Sequence, residues 1–551
     1  VVEQQKYLSN LFSGHKTARS VSNGYLTNIE KRCSILFSGF SFSQGNTTMA
    51  LNKKSASKPA KTHKNHEDGN SYAINDPFTR LRISATSCFF GEPAFYVDGE
   101  SAPKTSPHRG YYPTLPISGV YGDALLPVDT GKNTREIMEE AIDACLAVDI
   151  ERTLQFAVEL RNEWHFRATP QVIMVRAALH PKIANTGLLA KYAPQIMTRL
   201  DDVMNQMAYF ESMRGNLKRI PSRLKRAWAS RLSQASEYEL AKYKMAGRQV
   251  NVYDAVNLTH ANSEAIDKLK ANKLSLGSEG LETWESIRSS GGSWKKAAEV
   301  MGHMALLRNL RNLHTNGELT DTLLEKLKRG VEGGKQMPFR YYSAYKAIGV
   351  QSGKVADALE ACLESSLRYT MPRFEGRCLT ICDVSGSMDS ARVSANSEMS
   401  AQEIAMLMSV ITNRTFSQGG DTLLFATTNA FVKTRKKTSI FTEMDRLVAK
   451  GYKMGGGTDI ISAFKKLIAS KNKYDAIFVY SDMQCGYNGG VPALVNQYRK
   501  KINPNVQIFF VNLAGYEDAL VPEFYDRTYL LGGWSDKMLQ FAERIMDITK
   551  S

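Results

Sequence analysis

Five oxygen-bearing residues stand in the spacing of a divalent-cation site. They are Asp383, Ser385 and Ser387 in Asp383-Val384-Ser385-Gly386-Ser387, Thr458 in Gly455-Gly456-Gly457-Thr458-Asp459, and Asp482 directly after Ser481. Hard oxygen donors of low net charge suit Mg2+, which prefers octahedral geometry and keeps several of its waters. Ser385, Ser387 and Thr458 can supply hydroxyl oxygens, while Asp383 and Asp482 can hold coordinated waters and balance the charge. One coordination position would remain for an incoming carboxylate or phosphate. The plainer alternative is that these Ser and Asp residues cap the helices that follow them. A nucleophile elbow fails because G-x-S-x-G would need Gly where Asp383 stands, and GGGT lacks the Lys of a Walker loop. No general acid–base pair or activated nucleophile stands out, so the expectation is a protein that is not an enzyme.

The elements around these residues are legible in the apolar pattern. After Pro372 the stretches RCLTICDV, Thr422–Ala426, Ala476–Tyr480 and Val506–Leu513 read as short buried strands, and Ala401–Ile411 and Ile460–Ile468 read as helices. Alternating β and α elements with near-continuous apolar strands predict a parallel sheet covered by helices on both faces, a doubly wound α/β domain over residues 371–551. Each member of the candidate site then falls at a strand end or in a loop, on the carboxyl edge where such sheets bind ligands.

Upstream, residues 131–370 read as helix after helix. Thr134 and Thr169-Pro170 open two of them, and others are expected at Ala193–Arg214, Asn251–His260, Ser263–Lys270, Ser293–Leu313, Leu319–Lys328 and Lys354–Tyr369. Short connections and almost no strand-like alternation make an all-α array of stacked pairs, an α-solenoid, the economical architecture for residues 71–370.

With 551 residues, 43% hydrophobic and 23% charged, the chain can bury more than one core, which excludes a wholly disordered or fibrous protein. Its formal charge of +16 favours polyanionic partners. Ten basic residues against three acidic ones lie between positions 205 and 250, within helical sequence. The segment Pro221–Leu232 places Leu224, Trp228 and Leu232 on one stripe and Arg223, Lys225, Arg226 and Arg231 elsewhere, so one face packs and the other is cationic. Lys242, Tyr243, Lys244 and Arg248 follow, an aromatic among cations that suits phosphate contact with base stacking. A solvated helix face is the plainer reading.

A second basic excess is in residues 1–70, where Lys53, Lys54, Lys58, Lys61 and Lys64 lie among polar residues; this composition favours disorder, with His63 and His66 solvated. Met49 is a second candidate start, under which residues 1–48 stand outside the working protein. Seven cysteines without a CxxC pair, and no apolar run near the length of a membrane helix, lead to the expectation of a soluble, cytoplasmic protein with free thiols.

The D-x-S-x-S, Thr and Asp set resembles the metal-ion-dependent adhesion site of von Willebrand factor A domains, with all five positions filled. A helical array followed by such a domain resembles the TROVE family, the Ro autoantigen ring proteins, from about Ser71 onward. The likeness rests on Ala73-Ile74-Asn75-Asp76-Pro77-Phe78-Thr79-Arg80-Leu81, Val252–His260, Met304–Leu313 and Pro338-Phe339-Arg340-Tyr341-Tyr342. It implies a ring of HEAT-like helices closed by the A domain. It further implies small noncoding Y-like RNA on the outer basic surface, and 3′ ends of misfolded RNA in the central hole.

Carried over by position, the resemblance assigns RNA contacts to Lys242, Lys244, Arg248 and His260. The spacing from Lys242 to His260 is one residue longer than the family pattern. Arg223 and Arg226 join them from the basic helix, and Arg308 and Arg311 are secondary candidates. The expectation is a monomeric RNA-binding scaffold with an exoribonuclease among its candidate partners. The alternative is a metal-dependent protein-interaction module with no RNA role.

Overall fold

The computed structural model describes residues 62–65, 69–87, 134–243, 250–274, 284–349, 353–391, 399–435, 438–486, 490–514, 518–523, 525–533 and 536–548. Residues 58–551 group into one compact unit. Among the described residues no helix is long and apolar enough to cross a membrane.

The chain enters through a hairpin of β1 (Thr62–Lys64) and β2 (Asn70–Ala73), then α1 (Pro77–Ser87). The first half of the helical array follows as α2 (Thr134–Val148), α3 (Ile150–Asn162), α4 (Thr169–Leu179), α5 (Leu188–Ile196), α6 (Asp201–Arg214), α7 (Ser222–Ser233), α8 (Glu237–Tyr243), α9 (Val252–Thr259) and α10 (Glu264–Lys270). The second half is α11 (Trp284–Ser289), α12 (Trp294–Val300), α13 (His303–Thr315), α14 (Asp321–Arg329), α15 (Val331–Gly334), α16 (Pro338–Ile348) and α17 (Lys354–Thr370). Neighbouring and next-but-one helices pack on each other, as in stacked helical pairs. One continuous apolar core runs from Phe78 to Leu269.

Two expected helices are each split. Ala193–Arg214 breaks between α5 and α6: Pro194, in the last turns of α5, lacks the N–H that would continue the ladder, and α6 restarts with Asp201 and Asp202 in its first turn. Ser293–Leu313 breaks at Met301–Gly302, both extended. The expectation of disorder through residue 70 is corrected at its end, because Thr62–Lys64 form a strand. Composition measures what a segment can bury by itself, whereas this one gains its order by backbone pairing with β2.

The C-terminal domain comprises β3 (Cys378–Asp383), α18 (Gly386–Ser390), α19 (Ala401–Thr415), β4 (Gly420–Phe425), β5 (Asn429–Lys433), α20 (Ile440–Gly451) and α21 (Ile460–Ser470). It continues with β6 (Ala476–Ser481), α22 (Val491–Lys501), β7 (Gln507–Asn512), β8 (Asp518–Ala519), β9 (Thr528–Gly532) and α23 (Asp536–Ile548). Its six-stranded sheet has the order β5-β4-β3-β6-β7-β9 and is parallel except for β5, an antiparallel edge strand that the apolar pattern did not reveal. Leu379 and Ile381 of β3 pack with Phe464 of α21 and Val495 of α22 on one face. On the other face Cys378 bonds Asn413 of α19 at 3.1 Å, and Thr412 of α19 bonds the Tyr480 hydroxyl at 2.7 Å.

The helical array meets this domain at both ends, the connectivity of a ring closed by the α/β domain. At the start, β2 pairs with β8, and α1 lies so close to β9 that a Cβ on Gly532 would stand 2.6 Å from Thr86 Oγ1. At the end, Tyr345 of α16 stacks on Phe441 of α20 with ring centroids 4.1 Å apart, and Lys346 reaches Glu403 of α19 at 2.7 Å.

Candidate metal centre and basic groove

The strand order fixes where the acidic residues meet. From β3 the chain winds one way to β4, and β6, β7 and β9 extend the other way, so the switch point of the sheet lies between β3 and β6. Ligands in open α/β sheets bind at the carboxyl ends of the strands at such a point. Asp383 ends β3 and Asp482 follows β6 there, both buried.

The five sequence-derived residues converge on this edge. Asp383 Oδ1 accepts the Ser385 N–H at 3.0 Å, the Ser385 and Ser387 hydroxyls are 3.2 Å apart, and the Ser387 hydroxyl donates to Asp482 Oδ2 at 2.7 Å. Thr458 comes from the glycine loop, whose Gly456 carbonyl accepts the Gly386 N–H at 3.0 Å. Gly455 turns that loop at φ +87, and a Cβ there would lie 2.7 Å from Thr427 Oγ1, so only Gly fits. Thr458 Oγ1 accepts the Gly486 N–H at 3.2 Å, which ties it to the loop leaving Asp482.

Helix capping does not account for these residues. Ser385 occupies the N-cap of α18 but makes no side-chain cap bond, whereas the neighbouring Asp459 does cap α21 through the Ser462 N–H at 3.0 Å. Burial and the neighbouring Asp482 charge push the Asp383 carboxyl well above the usual carboxylate range. A divalent cation between the two would relieve both effects, and three hydroxyls with two carboxylates are the hard, low-charge donor set that fits Mg2+. Among the described residues there is no cluster of three or more His, Cys, Asp or Glu that could hold a metal ion, so the candidate set depends on its hydroxyls.

Sequence reasoning missed the residues that hold this set. Ser481 donates to Asp383 Oδ2 at 2.6 Å, Asp482 Oδ1 accepts the Gln484 N–H at 2.9 Å, and Gln402 of α19 donates to the Val384 carbonyl at 2.9 Å. Ser481 and Gln484 flank Asp482 in sequence, and their polarity beside an apolar strand was the available signal.

The basic residues divide differently. Leu224, Trp228 and Leu232 of α7 are fully buried, while Arg226 is exposed and Arg223 half-buried. Arg223 and Arg226 line a groove of about 820 Å³ between α5 and α7, with Thr198, Ser230, Leu188 and Met197 among its other walls. Arg231 does not belong to the free cationic face, because it pairs with Glu239. Tyr243 is no stacking platform: its ring is buried and its hydroxyl accepts from Arg199 at 2.7 Å.

His260 is exposed, caps the C-terminus of α9 in the left-handed region at φ 55, and precedes Asn262, whose N–H bonds Ser233 at the end of α7. Lys242 lies in α8 with its side chain outside the described set, and Lys244 and Arg248 lie outside the described residues. Arg308 and Arg311 are exposed on α13. His63 is corrected from a solvated histidine to one bonded to Asp518, and His66 lies outside the described residues.

A helical-repeat array joined at both ends to a von Willebrand factor A-like domain is the architecture of the Ro proteins, and this chain has that fold. The crystal structure of the Deinococcus radiodurans Ro (RSR) protein is similar over 85% of this chain and 99% of that one, with a TM-score of 0.56 and 18% sequence identity. Residues 377–547 match the family model of a domain of unknown function, DUF7788. No curated protein sequence matches the chain.

Proposed function

We propose that the protein is a noncatalytic RNA-binding scaffold that takes small noncoding Y-like RNA and misfolded RNA with a single-stranded 3′ end on its helical array. The observation that carries this reading is the groove between α5 and α7, where Arg223 and Arg226 border an apolar floor that includes Leu188 and Met197. Guanidinium groups bind phosphate bidentately, and an apolar floor accepts a base or ribose face. The net charge of +16 and the Ro fold support the same reading. The test is a mobility-shift titration with a structured RNA bearing a single-stranded 3′ tail. Arg223→Glu with Arg226→Glu should weaken binding at least about ten-fold, the effect of losing about 1.4 kcal/mol; unchanged affinity would sink the groove as the RNA surface.

In the same reading the α/β domain holds Mg2+ at the β3–β6 switch point, with Ser385, Ser387 and Thr458 as hydroxyl donors and Asp383 and Asp482 balancing the charge. The ion would supply an open coordination position for a carboxylate or phosphate. The residues themselves are preorganised by the bonds among Asp383, Ser385, Ser387 and Asp482.

The convergence of all five residues also favours a second reading, a metal-dependent protein-interaction module whose helices only space it. Protein purified at moderate salt with an absorbance ratio free of nucleic acid, and no shift of the tailed RNA, would favour that reading.

A further inference from the structure

The loop that leaves the metal site, Asp482–Gly486, has no regular secondary structure and passes through Met483 at φ +66, a conformation that L residues rarely adopt. Three of its backbone donors bond the candidate site or the strand end beside it. Met483 N–H bonds Ser481 Oγ at 3.0 Å, Gln484 N–H bonds Asp482 Oδ1 at 2.9 Å, and Gly486 N–H bonds Thr458 Oγ1 at 3.2 Å. The orientation of the Asp482 carboxylate and the Thr458 hydroxyl therefore depends on where this loop sits.

The other side of the loop is gripped by the hairpin that begins the described chain, more than 400 residues upstream. Asn65, buried in the β1–β2 turn, donates to the Cys485 carbonyl at 3.2 Å and to Ser71 Oγ at 3.1 Å, while its Oδ1 accepts the Gly69 N–H at 2.8 Å. One side-chain amide thus shapes the turn and tethers the loop. A second tether runs through side chains: His63 bonds Asp518 Oδ1, and Asp518 Oδ2 accepts from the buried Gln484 amide at 2.6 Å. Antiparallel pairing of Tyr72 with Ala519 and of Ala73 with Asp518 holds the hairpin in register for both.

We propose that the β1–β2 hairpin is a positioning element of the metal site, with Asn65 and the His63–Asp518–Gln484 chain holding the Asp482–Gly486 loop in its cation-binding shape. The inference rests on the metal reading above. Neither Asn65 nor His63 is among the five candidate ligands; they bond the Cys485 carbonyl and Asp518, and so act through the loop as outer-shell partners do elsewhere. The strap also links the entry to the helical array with the site at the switch point, in a segment whose composition gave no sign of order.

The experiment is a Mg2+ titration by calorimetry on the full chain, beside melting curves and amide hydrogen exchange of the metal-free protein. Asn65→Ala and His63→Ala should each weaken Mg2+ binding by roughly ten-fold, speed exchange at the Gln484 and Gly486 amides, and leave the melting temperature near that of the wild type. His63→Gln, which can still donate to Asp518, should recover most of the affinity. Unchanged Mg2+ affinity in Asn65→Ala and His63→Ala beside a wild type that binds would overturn this proposal alone. A wild type that binds no Mg2+ would overturn the metal reading and the proposal with it.

Discussion

Ser387 and Asp482, 95 positions apart, are joined across the carboxyl edge of the sheet by a 2.7 Å hydrogen bond from hydroxyl to carboxylate. The bond spans the switch point between β3 and β6, so the two halves of the candidate site are in direct contact. Ser387→Ala removes a proposed metal donor together with this contact. It should weaken Mg2+ binding by at least about ten-fold in calorimetry. Saturating Mg2+ should raise the wild-type melting temperature, since a ligand at a hundred times its Kd adds about 2.7 kcal/mol. A variant that keeps both the affinity and the thermal shift would remove Ser387 from the site.

Arg223 and Arg226 give a test that depends on salt. Each phosphate contact contributes about one to the slope of log affinity against log salt. The double variant Arg223→Ala, Arg226→Ala should therefore lower that slope by about two, with little change in unfolding midpoint because neither residue supports the core. A slope equal to that of the wild type, measured by mobility shift across a salt series, would show that these side chains meet no phosphate.

The meeting of the five candidate residues was legible in the sequence because they belong to short words at strand ends. Asp383-x-Ser385-x-Ser387 and Ser481-Asp482 follow apolar strands whose pairing follows from the βα alternation, and the structure brings them to one edge. The antiparallel β5 escaped because Asn429–Lys433 is partly exposed and too short for a clear pattern. The breaks at Pro194 and at Gly302 escaped because apolar periodicity continues across both.

The basic cluster was legible only as charge. Arg226 stays exposed, yet Arg231 is spent on Glu239 and Tyr243 is buried against Arg199, and single-sequence reading cannot distinguish a free cation from a paired one. The hairpin contacts of Asn65 and His63 had no local signal, since their partners lie over 400 residues away.

Asp202 sets a pH dependence. It accepts from Arg161 at 2.7 Å and from the Arg199 backbone at 2.9 Å, but burial outweighs these and pushes its carboxyl up to about 6. The folded pKa lies above the unfolded value of about 3.9, so between them the folded state binds more protons. This contribution is full below about 4 and is lost as pH rises through about 6. In Asp202→Asn that loss disappears, so the stability of the variant relative to wild type should climb from pH 4 to pH 7 in urea unfolding. A difference that is flat or falls over this range would refute the assignment.

Trp228 links the cationic helix to the core. Its indole N–H donates to Gln206 Oε1 at 2.7 Å, the Gln206 amide donates to Gln171 Oε1 at 2.7 Å, and the Gln171 amide reaches the Ile196 carbonyl at 3.2 Å. The relay crosses from α7 through α6 and α4 to α5, and all three side chains are buried. Trp228→Phe keeps most of the apolar volume but leaves the Gln206 oxygen unsatisfied, at a cost of about 1–3 kcal/mol. Trp228→Ala adds a cavity and should cost about 3–5 kcal/mol. Both should lower the urea midpoint. The relay ends at α5 and starts on α7, the two walls of the Arg223–Arg226 groove, so it also fixes the spacing between them. If that spacing sets RNA affinity, folded Trp228→Phe should bind the tailed RNA more weakly than its stability loss alone explains, with the salt slope unchanged because no phosphate contact is removed. Wild-type affinity in the folded variant would mean that the two arginines act as independent charges on α7.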